Sequence, residues 1–400
     1  MSEPLQITNG TIITPFRMLS NMFLLLQGGI IRAIRDESKL DSTLQTIDAG
    51  GNYIAPGFID IHLHGGGGYD FSDNTEKAIV EPAITHARYG TTSMAPTTLA
   101  CDFENLKRLV SLYDSVASES RFNGANLLGL HLEGPYFSAE QRGAQDLRFL
   151  KNPTPDEYNA ILSLSNRIIR WDSAPELPGS FEFAETLRRR GIMPAIAHSD
   201  ATFDQALEAR EHGFTHVTHF YSGTSTVRRI GLFRVAGINE FAYLFDDVTV
   251  EIIADGCHLP ASLLKLVYKI KGPARTVLVT DAMRAAGTDM QRCRIGDAET
   301  GLEVIIEDGV AKLPDRSSFA GSIATANRLV RNMVRLGEVP LSEAVQMATA
   351  TPAKVIGIDD RKGILAPGFD ADVIVFDDDF EIQNTIIGGV EIYRTDSSSR

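Results

Sequence analysis

Cysteine is scarce in this 400-residue chain. Cys101, Cys257 and Cys293 are scattered and show no C-x-x-C spacing. An odd, dispersed set does not make a disulfide framework and favours a reducing compartment. No apolar run approaches the ~20 residues of a membrane span. The opening MSEPLQITNG has neither the basic nor the apolar segment of a signal peptide. A cytoplasmic chain with no membrane partner is therefore expected. An excess of positive charge is also missing: the net charge of −14 argues against nucleic acid or an anionic membrane as partner. An anionic small molecule stays compatible, because a local pocket of Arg and His can oppose the overall sign. There is no low-complexity tract. At 43% hydrophobic and 22% charged, the composition is globular. Four hundred residues suit one large domain, or one large and one small.

What is present divides by pattern. The first ~50 residues (LQITNG, TIITPF, NMFLLLQGG, IIRAIRD) and the last ~40 (GILAPGFDADVIVFD, FEIQNTIIGGVEIYR) read as short strands and turns. Neither end is long enough to bury a core alone. The expectation is a small β-sandwich domain built from both termini, 1–54 and 357–400, with a large insertion between them. From 55 to 356, apolar runs alternate with helical patterns, the signal for βαβ units. Eight candidate strands follow: FIDIHLH, GTTSMAPTT, NLLGLHLEGP, IIRWDSAPE, IMPAIAHSD, THVTHFY, TVEIIADGCH and TVLVTDAM. Amphipathic segments such as TEKAIVEPAITHARYG, FEFAETLRRRG and LPASLLKLVYKIKG lie between them. The expected fold class is α/β, a (β/α)8 TIM-like barrel, although a doubly wound open sheet would alternate too.

Six of the eight runs end in a residue able to bind a metal or move a proton: His64, Glu133, His198, His219, His258 and Asp281. In a barrel the carboxyl ends of the strands converge on one face, so these residues would meet there. Alternation along a strand sets Asp60, His62 and His64 on one side and Ile59, Ile61 and Leu63 on the other. By the same rule His131 and Glu133 face together. Several imidazoles with a carboxylate form the ligand set that borderline divalent metals prefer, enough for one ion or for two bridged ions. One histidine at a strand end is more often a satisfied polar residue than a ligand; recurrence over several strands is what points to a metal. The four glycines 65–68 read as the turn that clears the strand mouth. They match neither a phosphate loop nor a dinucleotide fingerprint.

The stretch PGFIDIHLHG resembles the opening motif of the amidohydrolase superfamily. HLEGPYF, AHSDA, VTHFY, DGCHLP, LVTDAM and FAGS follow in the order found in its N-acetylglucosamine-6-phosphate deacetylases. LSEAVQMATATPAKVIG and KGILAPGFDADVIVFD resemble the same family's barrel end and its return to the β domain. The resemblance runs nearly the full length. It implies a metal-dependent hydrolase that removes acetate from an N-acetylated amino-sugar phosphate. Glu133, His198 and His219 would be the main metal ligands. His62 and His64 would complete a second metal position, so one or two divalent ions are expected; zinc is the first choice and iron, manganese, cobalt or nickel are alternatives. Asp281 would transfer the proton. His258, the FAGS backbone at Phe319, Ala320 and Gly321, and the loop after His219 would hold the sugar phosphate. A homodimer that shares an arginine across its interface is also implied.

Three departures fall in the substrate shell. Ser222-Gly223-Thr224 stands where the family usually has Asn-Ala-Met. Ala144-Gln145 stands where a Gly-x-His usually supplies a substrate-contacting histidine. Arg228 and Arg229, in VRRIG, lie at a slightly different offset from the phosphate-binding arginine. Either these positions drift neutrally, or the chain accepts a different sugar, such as N-acetylgalactosamine 6-phosphate or another N-acyl sugar. Two rivals are weaker. Another amidohydrolase chemistry of the type that bridges its metals with lysine is disfavoured by Glu133 in HLEGP. A non-catalytic binding protein on a degenerate barrel would have lost ligands that this chain retains. Arg188-Arg189-Arg190 is expected to close a helix, and His86 and His212 to lie on helix surfaces. Trp171 and Glu176 have no assigned role.

Overall fold

A computed structural model of the chain describes residues 3–15, 17–119 and 122–395. The apolar runs become eight parallel strands: β1 (Phe58–Leu63), β2 (Thr91–Pro96), β3 (Leu130–Glu133), β4 (Ile168–Ser173), β5 (Met193–Ile196), β6 (His216–Val217), β7 (Thr249–Ile252) and β8 (Thr276–Leu278). β1 pairs with β2, and β3 through β8 pair in sequence, all in parallel. A parallel bridge from Thr97 to His131 carries the sheet from β2 to β3. Beyond β8, Asp281 N–H donates to His62 O at 2.9 Å and His64 N–H to Ala282 O at 2.7 Å, which closes the ring onto β1. This is a TIM-like barrel, and two of the bonds that close it involve residues of the expected site.

The helices form where their ends are satisfied and one face is apolar. Glu76–Ala87 starts at Thr75, whose side chain accepts from Ala78 N–H. Phe203–Glu211 starts on a reciprocal Thr202/Gln205 capping box. Ala261–Lys271 buries Leu264 and Val267 and stops at Gly272. The outward faces of the strands pack on these helices. Ile59 and Ile61 join Val277 and Val279 in one cluster, and Leu63 joins Phe71, Ile79 and Leu132 in another. Each such side chain, fully buried, contributes about 1.5–3 kcal/mol. Among the described residues, no helix is long and apolar enough to cross a membrane.

The chain ends meet in one sheet. Tyr53–Pro56, which runs directly into β1, pairs antiparallel with Val373–Phe376. That six-stranded sheet and a four-stranded one containing Leu5–Thr8 and Met22–Gln27 share a core of Ile7, Leu24, Leu26, Ile54, Val373 and Val375.

Three local features differ from expectation. An antiparallel sheet of Arg292–Ile295, Leu302–Glu307 and Val310–Lys312 follows β8, and a hairpin of Arg228–Ile230 and Phe233–Val235 follows β6. Both are short and carry charged residues at partly exposed positions, so neither shows the apolar alternation that marks a strand. His86 is buried rather than on a surface, because its helix turns it toward the glycine run. Its Nε2 lies 2.9 Å from Gly65 O, and a Cβ on Gly66 would come within 2.7 Å of that nitrogen. The glycines form a tight hairpin, Gly65–Gly66 pairing with Tyr69–Asp70. His212 lies at the surface, stacked on Phe181 and 3.0 Å from Glu185.

Candidate active site

The carboxyl ends of the strands deliver four imidazoles and two carboxylates to one point. All six side chains are at least nine-tenths buried. Glu133 is the hub. Its Oε1 lies 2.9 Å from His219 Nε2, 3.2 Å from His198 Nε2 and 3.6 Å from His62 Nε2. Its Oε2 lies 3.4 Å from His64 Nε2. Asp281 Oδ1 lies 3.0 Å from His64 Nε2 and 3.6 Å from His62 Nε2. Two overlapping groups, His62/Glu133/His219 and His62/His64/Asp281, have ligand atoms within 4.8 Å of one another.

The rings are aimed from behind. His64 Nδ1 lies 3.2 Å from Thr97 O, and His198 Nδ1 lies 2.8 Å from Gln141 O. A carbonyl only accepts, so Nδ1 carries a hydrogen, and in the neutral ring the Nε2 lone pair is turned toward the centre. His62 Nε2 is buried and has no hydrogen-bond partner. Leaving such an atom unpaired costs about 1–3 kcal/mol, and a cation between the rings and the carboxylates would satisfy it. The residues present therefore fit a divalent metal.

Charge in the cluster is tightly linked. Burial drives the Glu133 carboxyl upward, but His62 and then His198 and His219 outweigh it and hold it well below the usual carboxylate range. Burial raises Asp281 too, and the His64 hydrogen bond leads the effects that bring it below its ordinary value. Burial disfavours the charged forms of His64 and His219. Asp281 and Glu133 oppose this at His64, as Glu133 does at His219, and both rings reach about 9. His198, His219 and Asp281 have φ of 44°, 26° and 48°, left-handed backbone that non-glycine residues seldom adopt.

Above the cluster lies a cavity of about 570 Å³. Of the residues expected to hold substrate, Ala144, Gln145, Ser222, Gly223, His258, Phe319 and Gly321 line it. Ala320 is buried behind, its N–H bonded to Ala311 O at 3.0 Å. Arg228 and Arg229 do not line it within one chain: Arg228 pairs with Asp200, and Arg229 donates to Gly231 O at 2.8 Å on the exposed hairpin. The cations lining the cavity are Lys312 and Arg316, which sequence reasoning missed. Nothing local marks them, because the antiparallel sheet after β8 is what carries them to the mouth. Gln145 is anchored at both ends of its amide: its Nε2 donates to Glu133 Oε2 at 2.8 Å and its Oε1 accepts from Ala100 N–H at 2.9 Å. Gly223 has φ 67°, and a Cβ there would sit 2.9 Å from both His198 Nδ1 and Gln141 O. A side chain at this position would therefore press on the segment that aims His198.

Trp171 and Glu176 gain roles as supports. Trp171 Nε1–H donates to Gly134 O at 2.8 Å, next to Glu133. Glu176 accepts from Ser199 Oγ and Asp200 N–H, both at 2.6 Å, next to His198. Beneath the cluster, Arg170, Asp172 and Glu251 form a buried charged group that was also missed. A charged residue inside an apolar strand, as in IIRWDS and TVEII, is the signal that could have found it. Arg170→Met would leave two buried carboxylates without their guanidinium. The expected cost is about 3–5 kcal/mol, seen as an earlier midpoint in urea unfolding; an unchanged midpoint would contradict it.

A family model described as the amidohydrolase family matches residues 53–392. The N-acetylglucosamine-6-phosphate deacetylase of Haemophilus influenzae is 31% identical over 384 residues, 96% of this chain and 98% of that one. The enzyme of the same name from Bacillus subtilis is 30% identical over 393 residues, 97% of each chain. Among solved structures, N-acetylglucosamine-6-phosphate deacetylase from Pasteurella multocida superposes with a TM-score of 0.91 at 29% identity, over 98% of this chain and 100% of that one. A mutant of the Mycobacterium smegmatis deacetylase, solved in complex with N-acetyl-D-glucosamine-6-phosphate, gives 0.89 at 27% identity over the same shares.

Proposed function

The chain belongs to the amidohydrolase family, among relatives that are N-acetylglucosamine-6-phosphate deacetylases, and from this premise we propose that it hydrolyses the N-acetyl group of N-acetylglucosamine 6-phosphate to glucosamine 6-phosphate and acetate. The observation that carries this reading is the meeting of four inward Nε2 atoms with Glu133 and Asp281 at the floor of a substrate-sized cavity. Glu133, His198 and His219 would hold one divalent ion, and His62 and His64 a second; zinc is the first choice. When bound, such an ion polarises the amide carbonyl and lowers the pKa of a coordinated water towards about 7.

Asp281 then serves the proton. It accepts one from the attacking water and passes it to the sugar nitrogen, so that an amine leaves rather than an amide anion. Its Oδ1 lies 3.0 Å from His64 Nε2, which places the carboxylate at the cavity floor beside the ligand rings. His258, braced by Asp255 at 2.9 Å and set against Phe319, would hold the sugar, with Lys312 and Arg316 toward its phosphate.

A second reading has its own support. Gln145 makes its bonds within the protein, and unlike the family's usual histidine it carries no charge. That favours wider acceptance of N-acyl sugars, including N-acetylgalactosamine 6-phosphate. We further read the terminal sheets as a small β-sandwich domain spanning 1–54 and 357–400, and the chain as a cytoplasmic homodimer. The hairpin after β6 exposes Leu232 by 81% and Phe233 by 77% beside Arg228 and Arg229, an apolar surface suited to a second copy that would receive one of these arginines.

The test is acetate release from a panel of N-acetyl sugars, with and without 6-phosphate, on protein of known metal content. No release from any phosphorylated sugar would remove the substrate reading and leave the fold standing. The histidines add a pH prediction. His64 and His219 stay protonated up to about 9 in the metal-free site, and a cation needs the neutral rings. Zinc uptake at pH 7 should therefore release protons, and affinity should rise as pH increases toward 9. Calorimetry in buffers of different ionisation enthalpy would reveal it; uptake without proton release would contradict it.

A further inference from the structure

Below the mouth, β4 and β7 place charged side chains where a barrel interior usually packs branched apolar ones. Arg170 donates through Nε to Asp172 Oδ1 at 2.7 Å and through Nη2 to Asp172 Oδ2 at 3.1 Å. The same Nη2 reaches Glu251 Oε2 at 3.2 Å, and Nη1 pairs with Glu251 Oε1. His216 Nε2 lies 3.1 Å from Glu251 Oε1. Glu251 is thus held by a guanidinium on one side and has the His216 ring nearby on another, with no exposure to solvent.

The free side of that carboxylate faces the candidate metal cluster. Glu251 Oε2 lies 3.1 Å from His62 Nδ1. His64 and His198 are aimed by main-chain carbonyls, whereas His62 is aimed by a side chain. A carboxylate only accepts, so His62 Nδ1 must donate, and the Nε2 lone pair is left to point at Glu133 and Asp281. The edges of His131 and His64, at ring separations of 4.8 and 5.3 Å, fix the plane of the ring. His62 is also the residue common to both candidate ligand groups.

We propose that Glu251, clamped by Arg170, is a positioning residue that fixes the tautomer and direction of His62 and so governs whether the site holds a second cation. This rests on the reading of His62 as a metal ligand. Among the described residues, the same clamp explains why Arg170 lies inside the barrel: without it Glu251 would be an unpaired buried charge, and with it the carboxylate has one orientation.

Glu251→Gln tests the proposal. A glutamine amide can either donate to or accept from Nδ1, so the choice of tautomer is lost, while Arg170 keeps both of its bonds to Asp172 and the fold is retained. Zinc content by mass spectrometry and zinc titration against a chelating dye are compared with the unmutated chain. The tighter ion should bind as before, and the affinity for the weaker one should fall about 10–100-fold. Folding is checked by circular dichroism. A folded E251Q that takes two zinc ions with unchanged affinities would overturn the proposal.

A second measurement needs no change at Glu251. In histidine-selective 15N spectra of the unmutated metal-free protein, the His62 signal, assigned by its loss in His62→Asn, should show the Nδ1–H form. The Nε2–H form would overturn the proposal even if E251Q does not fold. An unmutated chain that binds no zinc removes the metal reading beneath it instead, and the spectra still decide the tautomer.

Discussion

Asp281→Asn should lower kcat by about 10²–10⁴-fold, the usual contribution of a positioned acid–base group, while leaving zinc content close to that of the unmutated protein. Asparagine fills the same space, 3.0 Å from His64 Nε2, without disturbing the histidines. It can neither take a proton from water nor give one to the leaving nitrogen. Acetate release under saturating substrate, together with metal analysis of the same sample, separates these effects. A variant with kcat near that of the unmutated chain would mean that the proton travels through another group.

Glu133→Gln should have a larger effect of a different kind. The carboxylate lies within 3.6 Å of the Nε2 atoms of all four histidines, so its charge holds the whole cluster together. Glutamine would place a neutral amide among rings whose protonation Glu133 now supports at both His64 and His219. Zinc affinity should fall at least 100-fold and acetate release should drop to background. The two variants also respond differently to added metal: excess zinc should restore part of the activity of Glu133→Gln and none of that of Asp281→Asn. Full zinc occupancy in Glu133→Gln at stoichiometric metal would exclude Glu133 as the hub.

Much of the barrel was legible because its signals are local. Apolar runs of strand length, helices opening on Thr75 and on the Thr202/Gln205 box, and chemistry-bearing residues at strand ends each lie within a short window. The facing of His62 and His64 followed from strand alternation alone. What was not legible depends on residues far apart. Arg170 and Glu251 are 81 positions apart and become partners only when the barrel brings β4 and β7 within reach. His86 sits on a helical pattern that does not reveal which helix face meets the glycine hairpin. Lys312 and Arg316 reach the cavity only because a small antiparallel sheet follows β8. The engagement of Gln145 with Glu133 was hidden in the same way, since spacing shows that a glutamine replaces a histidine but not what its amide touches.

The left-handed backbone at His198, His219 and Asp281 has a consequence for how such a protein can change over generations. Each of these residues carries a Cβ in a conformation that costs about 1–2 kcal/mol relative to ordinary helical geometry. Glycine at any of the three would relax the chain and, on the proposed reading, remove a ligand or the proton carrier in the same step. Selection for heat resistance alone would therefore erode the chemistry, and a stabilised descendant that keeps its activity must gain its stability elsewhere, in the helices and the terminal sheets.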